Sequence, residues 1–341
     1  MLSGGRRLLQ CMLLPVLIAL LVFLPAVIGS FSPEGASAAD ADTGEQNEGT
    51  LQIVATIFPT YDWIMQLLGD NPAGAQVKVL AANGLDLHSY QPSVDDMLDI
   101  ASCDLFVYVG GESDGWVEDA LQNNANPDRI VVNLMDVLGE NAREEEAVPG
   151  MQDQEDETEE REYDEHVWLS LKNASLFCSA IAEALCGLNP DNADVYRDNL
   201  EIYQQKLEDL DDSYARMVSE AAQDTLLFGD RFPFLYLIDD YGLSYYAAFA
   251  GCSAETEASF ETIIFLAGRM DELSLPCVLI IDGSDDRIAS TIIQNTKQKN
   301  QQILVLNSMQ SVTQEDLQEG ENYLSVMEQN LSVLTEALSR N

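Results

Sequence analysis

Apolar positions along this chain follow two rhythms. Short apolar runs bounded by turn residues alternate with longer stretches whose apolar positions recur every three or four residues. "TLQIVATIFPTYDWIMQLLG" reads as a strand entering a helix. "AQVKVLAANG" is a second strand and "SVDDMLDIASC" a helix. "DLFVYVGG" is a third strand, "GWVEDALQN" a helix and "DRIVVNL" a fourth strand. Strands that alternate with helices predict βαβ units and a parallel sheet. This first lobe spans 51–188, with an acidic insertion, poor in apolar residues, at 143–165.

A different pattern follows. Tyr196, Leu200, Tyr203, Leu207, Leu210, Tyr214 and Met217 are spaced alternately by four and three, after Asn189 and Pro190 as start signals. That predicts one amphipathic linking helix within 189–222, of about 30 residues and about 45 Å. A coiled coil would carry the same seam, but strand and helix patterns resume at once. "DTLLFGD", "LSYYAAFAG", "PCVLIIDG" and "QQILVLNSM" are strands, separated and followed by helices, over 223–341. The expected fold is therefore α/β: two lobes with largely parallel sheets, joined by one long rigid helix, with a ligand cleft between the lobes.

The N-terminus reads as an export signal. Arg6 and Arg7 precede an apolar run from Met12 to Ile28, and Ala36-Ser37-Ala38 offers a cleavage site before Ala39. The run is shorter than the roughly 20 residues a membrane span wants. We expect a signal peptide over 1–38 and a flexible tether over 39–50, the alternative being a signal retained as an anchor. Cys11 lies before the apolar run and no Cys follows it there, so no lipid attachment is expected at that point. The expected location is extracytoplasmic, cell-surface associated or secreted.

Charge narrows the partners. With 59 acidic against 16 basic residues, the formal net charge is −43. Phosphate binding needs clustered Lys and Arg, so the charge argues against nucleic acid as a partner. The same charge suits a cation ligand and a self-repelling, monomeric protein. Five cysteines remain beyond the signal: Cys103, Cys178, Cys186, Cys252 and Cys277. They form no disulfide framework. Cys178 and Cys186 lie eight apart on a helix, about 12 Å, too far to bridge. Cys252 and Cys277 are the one pair open to bonding, and no thiolate stands in obvious reach of a metal.

The chain has only two histidines, His88 in "LDLHSYQPS" and His166 in "YDEHVWLS". Both fall at element ends and both follow acidic residues. Neutral imidazole is the commonest metal ligand, and carboxylates orient it from behind. A lone histidine is more often structural, so the pairing with acids is what raises the metal reading. No H-E-x-x-H, zinc-finger spacing or G-x-S-x-G nucleophile elbow occurs, and "GGESDG" lacks the Lys of a P-loop. No enzyme is expected.

These residues resemble a known family, the metal-binding solute-binding proteins of bacterial zinc and manganese ABC importers, over about residues 51–338. "LDLHSYQPSVDDM" resembles its Asp-Pro-His-x-Tyr-x-Pro segment, with Leu87 in place of Pro. "DEHVWLSLKNA" resembles its Asp-Pro-His-x-Trp-Leu-Ser segment, with Glu165 in place of Pro. "YGLSYYAAFAGCSAETEASFETI" and the long helix resemble further family features. The resemblance implies that His88 and His166 are ligands from the first lobe, and that a His or Glu follows the first strand of the second lobe. Here that place holds Arg231 in an ungapped match and Asp230 with one residue inserted. Asp230 is the expected ligand, a helix cap before "FPFLYL" its alternative. A fourth ligand, often Asp in relatives, is left among Asp282, Asn307, Ser308 and Gln310.

The expected function is capture of a divalent transition metal outside the cytoplasm, zinc first and Mn²⁺ or Fe²⁺ comparable by ligand softness, and delivery to an ABC importer membrane permease. The alternative is a metal-binding surface adhesin or scaffold of the same fold. The acidic insertion reads as a solvated segment, or as a weak gatherer of cations.

Overall fold

The computed structural model describes residues 50–82, 84, 87–152, 163–253 and 257–339. The export signal, the tether up to residue 49, Asp86 and the middle of the acidic insertion lie outside the described residues.

The first lobe runs β1 (Gln52–Ala55), α1 (Phe58–Leu68), β2 (Gln76–Val79), α2 (Val94–Ser102), β3 (Leu105–Tyr108), α3 (Val117–Gln122), β4 (Ile130–Asn133), α4 (Leu134–Leu138) and α5 (Leu171–Leu188). Then come the long helix α6 (Ala193–Glu220), β5 (Thr225–Phe232), α7 (Leu235–Tyr241), β6 (Ser244–Ala250), α8 (Phe260–Leu273), β7 (Cys277–Ile281), α9 (Arg287–Asn295), β8 (Gln302–Leu306), α10 (Gln314–Glu319) and α11 (Tyr323–Ala337). Each lobe holds a four-stranded sheet with every pairing parallel, in the orders β2-β1-β3-β4 and β6-β5-β7-β8.

Burial explains the order. β3 and β7 are apolar almost throughout and almost wholly buried, as strands covered by helices on both faces must be. β2 and β8 are exposed or half-buried at all but their last positions and take edges of the two sheets. Both sheets have the same switch point, between their first and third strands in chain order, and ligands gather outside the carboxyl ends of strands at such points.

The helix α6 spans 28 residues, about 42 Å. Its seam is as the periodicity predicts: Tyr196, Tyr203, Leu207, Leu210 and Tyr214 are buried, and Leu200 and Met217 pack partly against the core. It starts at Ala193 rather than 189, because Pro190–Asn192 forms a separate 3₁₀ turn. One apolar core runs through both lobes, joining Ile53, Trp63 and Val107 to Phe228, Leu279 and Tyr323. Polar bonds stitch the same seam. Trp168 Nε1–H donates to the Ser308 carbonyl at 2.9 Å, and the Tyr323 hydroxyl donates to the Trp168 carbonyl at 2.7 Å.

The described ends of the acidic insertion are docked, not merely solvated. Glu144 and Tyr163 form an antiparallel bridge. Met151 is buried, and the Gln152 N–H donates to the Ala248 carbonyl of β6 at 2.9 Å.

Candidate metal centre

His88 sits in a 3₁₀ turn, Leu87–Ser89, beyond the carboxyl end of β2. His166 precedes a buried 3₁₀ turn, Val167–Leu169, that leads into α5. Ser170 caps α5: its Oγ accepts from the Asn173 N–H at 3.1 Å and donates to Asp240 at 2.6 Å. This cap and the buried Trp168 fix where the chain leaves His166.

The two rings meet. His88 Nε2 and His166 Nε2 lie 3.2 Å apart. Each ring is oriented from behind through its other nitrogen. His166 Nδ1 donates to Asp164 Oδ1 at 3.0 Å, and the same oxygen accepts the His166 backbone N–H at 2.8 Å. His88 Nδ1 contacts Ser113 Oγ at 2.6 Å, with Glu165 Oε2 3.8 Å away. In the tautomer in which both Nδ1 atoms donate, both Nε2 lone pairs point into one space. Two facing lone pairs repel unless a cation stands between them. Two nitrogens on a tetrahedral zinc, each about 2.05 Å from it, would be roughly 3.3 Å apart.

The surroundings are acidic. Glu165 Oε1 accepts the Ser113 N–H at 2.9 Å, and burial raises the Glu165 carboxyl against that bond. Asp114 lies in the same loop after β3. Its Oδ2 accepts the N–H groups of Val109 at 3.1 Å and Gly110 at 2.9 Å, yet burial, with Glu165 adding repulsion, pushes its carboxyl up to about 7.

From the second lobe come two residues. The His88, His166 and Cys252 side chains each place a ligand atom within 4.8 Å of the others. Cys252 follows β6, and its N–H donates to Glu145 Oε1 at 2.8 Å. Burial first, then the charges of Glu145, Asp164 and Glu165, hold the thiol above its ordinary value. The same charges lower the energy of a bound cation. Gly251 beside it is required by space: a Cβ there would stand 2.9 Å from the Phe232 carbonyl and 3.1 Å from His166 Cε1. The second residue is Gln310, whose Nε2 lies 2.9 Å from His166 Nε2.

Gln310 is delivered by a constrained loop after β8. Met309 has φ +63, uncommon for a residue with a side chain. Its N–H is held by Asn307 Oδ1 at 2.7 Å. Asp282 accepts from the Ser308 N–H and Oγ at 2.5 and 2.7 Å and from Ser311 Oγ. Of the four residues left open for the fourth place, Asp282, Asn307 and Ser308 therefore build the loop, and Gln310 meets the histidine.

Asp230 is placed differently from the expectation. β5 continues two residues past it, with an irregular register between Phe228 and Arg231. Its carboxylate accepts the N–H groups of Arg231 at 2.8 Å and Ile281 at 3.1 Å, tying β5 to β7. It does not join the converging set of His88, His166 and Cys252. Nor does it cap the next helix, since α7 begins after Phe234 with no side-chain cap. The expectation that no thiolate lies within reach is also corrected, by Cys252. It lies two residues beyond the end of β6, and nothing in the sequence around it marks it as a ligand. All five described cysteines are free, Cys252 and Cys277 included.

Comparison with known proteins agrees with this fold. The profile of the family described as zinc-uptake complex component A, periplasmic (ZnuA), matches residues 53–337. The zinc-binding lipoprotein AdcA of Streptococcus pneumoniae is 32% identical over 291 residues, which are 85% of this chain and 56% of AdcA. The chain thus spans about half the length of that relative. The high-affinity zinc uptake system protein ZnuA of Bacillus subtilis is 26% identical over 333 residues, covering 94% of this chain and 96% of its own. The crystal structure of the Zn(II)-bound ZnuA-like domain of S. pneumoniae AdcA matches with a TM-score of 0.67 at 28% identity, covering 86% of this chain and all (100%) of that domain.

Proposed function

Because this chain belongs to the ZnuA family of periplasmic zinc-uptake components, we propose that it captures zinc outside the cytoplasm and hands it to the membrane permease of an ABC importer. The observation that carries the reading is the 3.2 Å approach of the two Nε2 atoms of His88 and His166. Nothing but a cation or a proton makes that approach favourable.

The chain's own groups divide the work. His88 and His166 hold the metal from the first lobe. Asp164 and Ser113 keep both rings turned with Nε2 inward, and Asp164 raises the basicity of His166. Glu165, Asp164 and Glu145 supply negative potential around the cation. The carboxyl ends of both sheets face this point, so a bound metal biases the position of one lobe against the other.

The core common to both lobes and the single helix α6 restrict that bias to a small tilt and to the order of the site loops. A permease reads such a difference at the surface around the cleft. The role is that of a carrier, with the metal as cargo.

The test is calorimetric titration of the purified protein with zinc, alongside His88→Ala and His166→Ala. Each variant should lose tight binding while keeping the parent's circular dichroism. Variants that bind zinc as the parent does would sink the reading.

A further inference from the structure

The family reading leaves open what the second lobe gives to the metal, and two side chains answer it. Cys252 is one of three residues whose ligand atoms fall within 4.8 Å of one another, with His88 and His166. The three come from separate stretches of chain, and only Cys252 comes from the second lobe. Its backbone is anchored through Glu145, and Gly251 lets the loop press against the His166 ring. Gln310 arrives from the other side on a loop held by Asp282 and Asn307. Its amide nitrogen faces His166 Nε2, and its oxygen lies 3.3 Å from Ser308 Oγ. Half a turn of the amide exchanges the two and aims the oxygen at the metal position.

We propose that Cys252 is a metal ligand, giving a thiolate to the cation held by His88 and His166, with the Gln310 amide oxygen as the fourth donor. The proposal rests on the two-histidine reading above. Binding exchanges the S–H bond for an S–metal bond, and the proton leaves to solvent. Two imidazoles, one thiolate and one amide oxygen form a set suited to zinc, cobalt and cadmium. Manganese, magnesium and calcium favour oxygen-rich sets and are selected against. Cys252 thereby sets the specificity of the site. Cys103, Cys178 and Cys277 stand outside the converging set.

Cobalt substitution tests this. Cobalt(II) added to the metal-free protein, kept reduced by a non-chelating phosphine, should produce a near-ultraviolet sulfur-to-cobalt charge-transfer band. Cys252→Ser should abolish the band and weaken zinc by more than the roughly 10- to 100-fold that loss of an outer partner costs. Cys252→Asp should bind without the band and shift preference from zinc toward manganese. Cys277→Ser should keep the band. A parent complex without the band, or a band that survives in Cys252→Ser, overturns the assignment of Cys252 while the two-histidine site stands. If His88→Ala and His166→Ala retain parental zinc affinity, the underlying site falls instead.

Discussion

Asp164 Oδ1 accepts two hydrogen bonds from His166, one from the backbone N–H at 2.8 Å and one from ring Nδ1 at 3.0 Å. One buried oxygen thus fixes both where the residue stands and which way its ring faces. In Asp164→Asn the oxygen remains but its charge is gone. Zinc affinity should fall about 10- to 100-fold, with the melting temperature of the metal-free protein moving little. Competition with a zinc chelator measures the first, and unchanged affinity would show that Asp164 merely fills space.

Gly251 tests the close approach of β6 to the site. Gly251→Ala puts a methyl group against the Phe232 carbonyl and the His166 ring. The neighbours are backbone and a buried ring, so they yield poorly. A stability loss of about 1–3 kcal/mol is expected, with weaker zinc binding. Urea denaturation and titration together check it; a variant unchanged in both would mean that the loop gives way freely.

Asp114 should make stability depend on pH. Burial lifts its carboxyl from the ordinary 3.8 to about 7, so the folded chain holds this proton more tightly than the unfolded chain. The stabilising contribution is complete below about pH 4 and is lost as pH rises through about 7. Asp114→Asn keeps an oxygen for the Val109 and Gly110 N–H groups and carries no charge. Its advantage in melting temperature over the parent should open between about pH 4 and pH 7 and stay level above. A gap that does not vary with pH would contradict this.

Trp168 ties the His166 turn to the loop that carries Gln310. Trp168→Phe removes the donor to the buried Ser308 carbonyl. That should cost about 1–3 kcal/mol, and zinc dissociation should quicken as the loop loosens. Thermal denaturation and stopped-flow chelator exchange give the two readouts. An unchanged dissociation rate would separate the loop from the site.

Much of this architecture is legible in the sequence because it rests on local signals. β3 and β7 announce themselves as apolar runs, and α6 by the seam from Tyr196 to Met217. His88 and His166 stand out by rarity and by their acidic neighbours. The second-lobe contribution is harder to read, since it depends on contacts across great chain distances: 78 residues separate His88 from His166, and 144 separate His166 from Gln310. Asp230 looks like the end of a strand because Asp commonly ends one. Only the tertiary fold shows β5 running on to Phe232, with the carboxylate spent on two backbone N–H groups. Cys252 has the opposite problem: a single thiol in a small-residue loop gives no local sign of what it will face.

A core threaded through both sheets, with Trp168 and Tyr323 bonded across the seam, cannot be lost one sheet at a time. The two lobes should melt together in a single calorimetric transition. A ligand that binds only the folded form raises the whole of that transition, by about 2.7 kcal/mol at a hundred times its dissociation constant. Occupancy of a site of a few side chains is thereby felt as resistance to unfolding in both lobes.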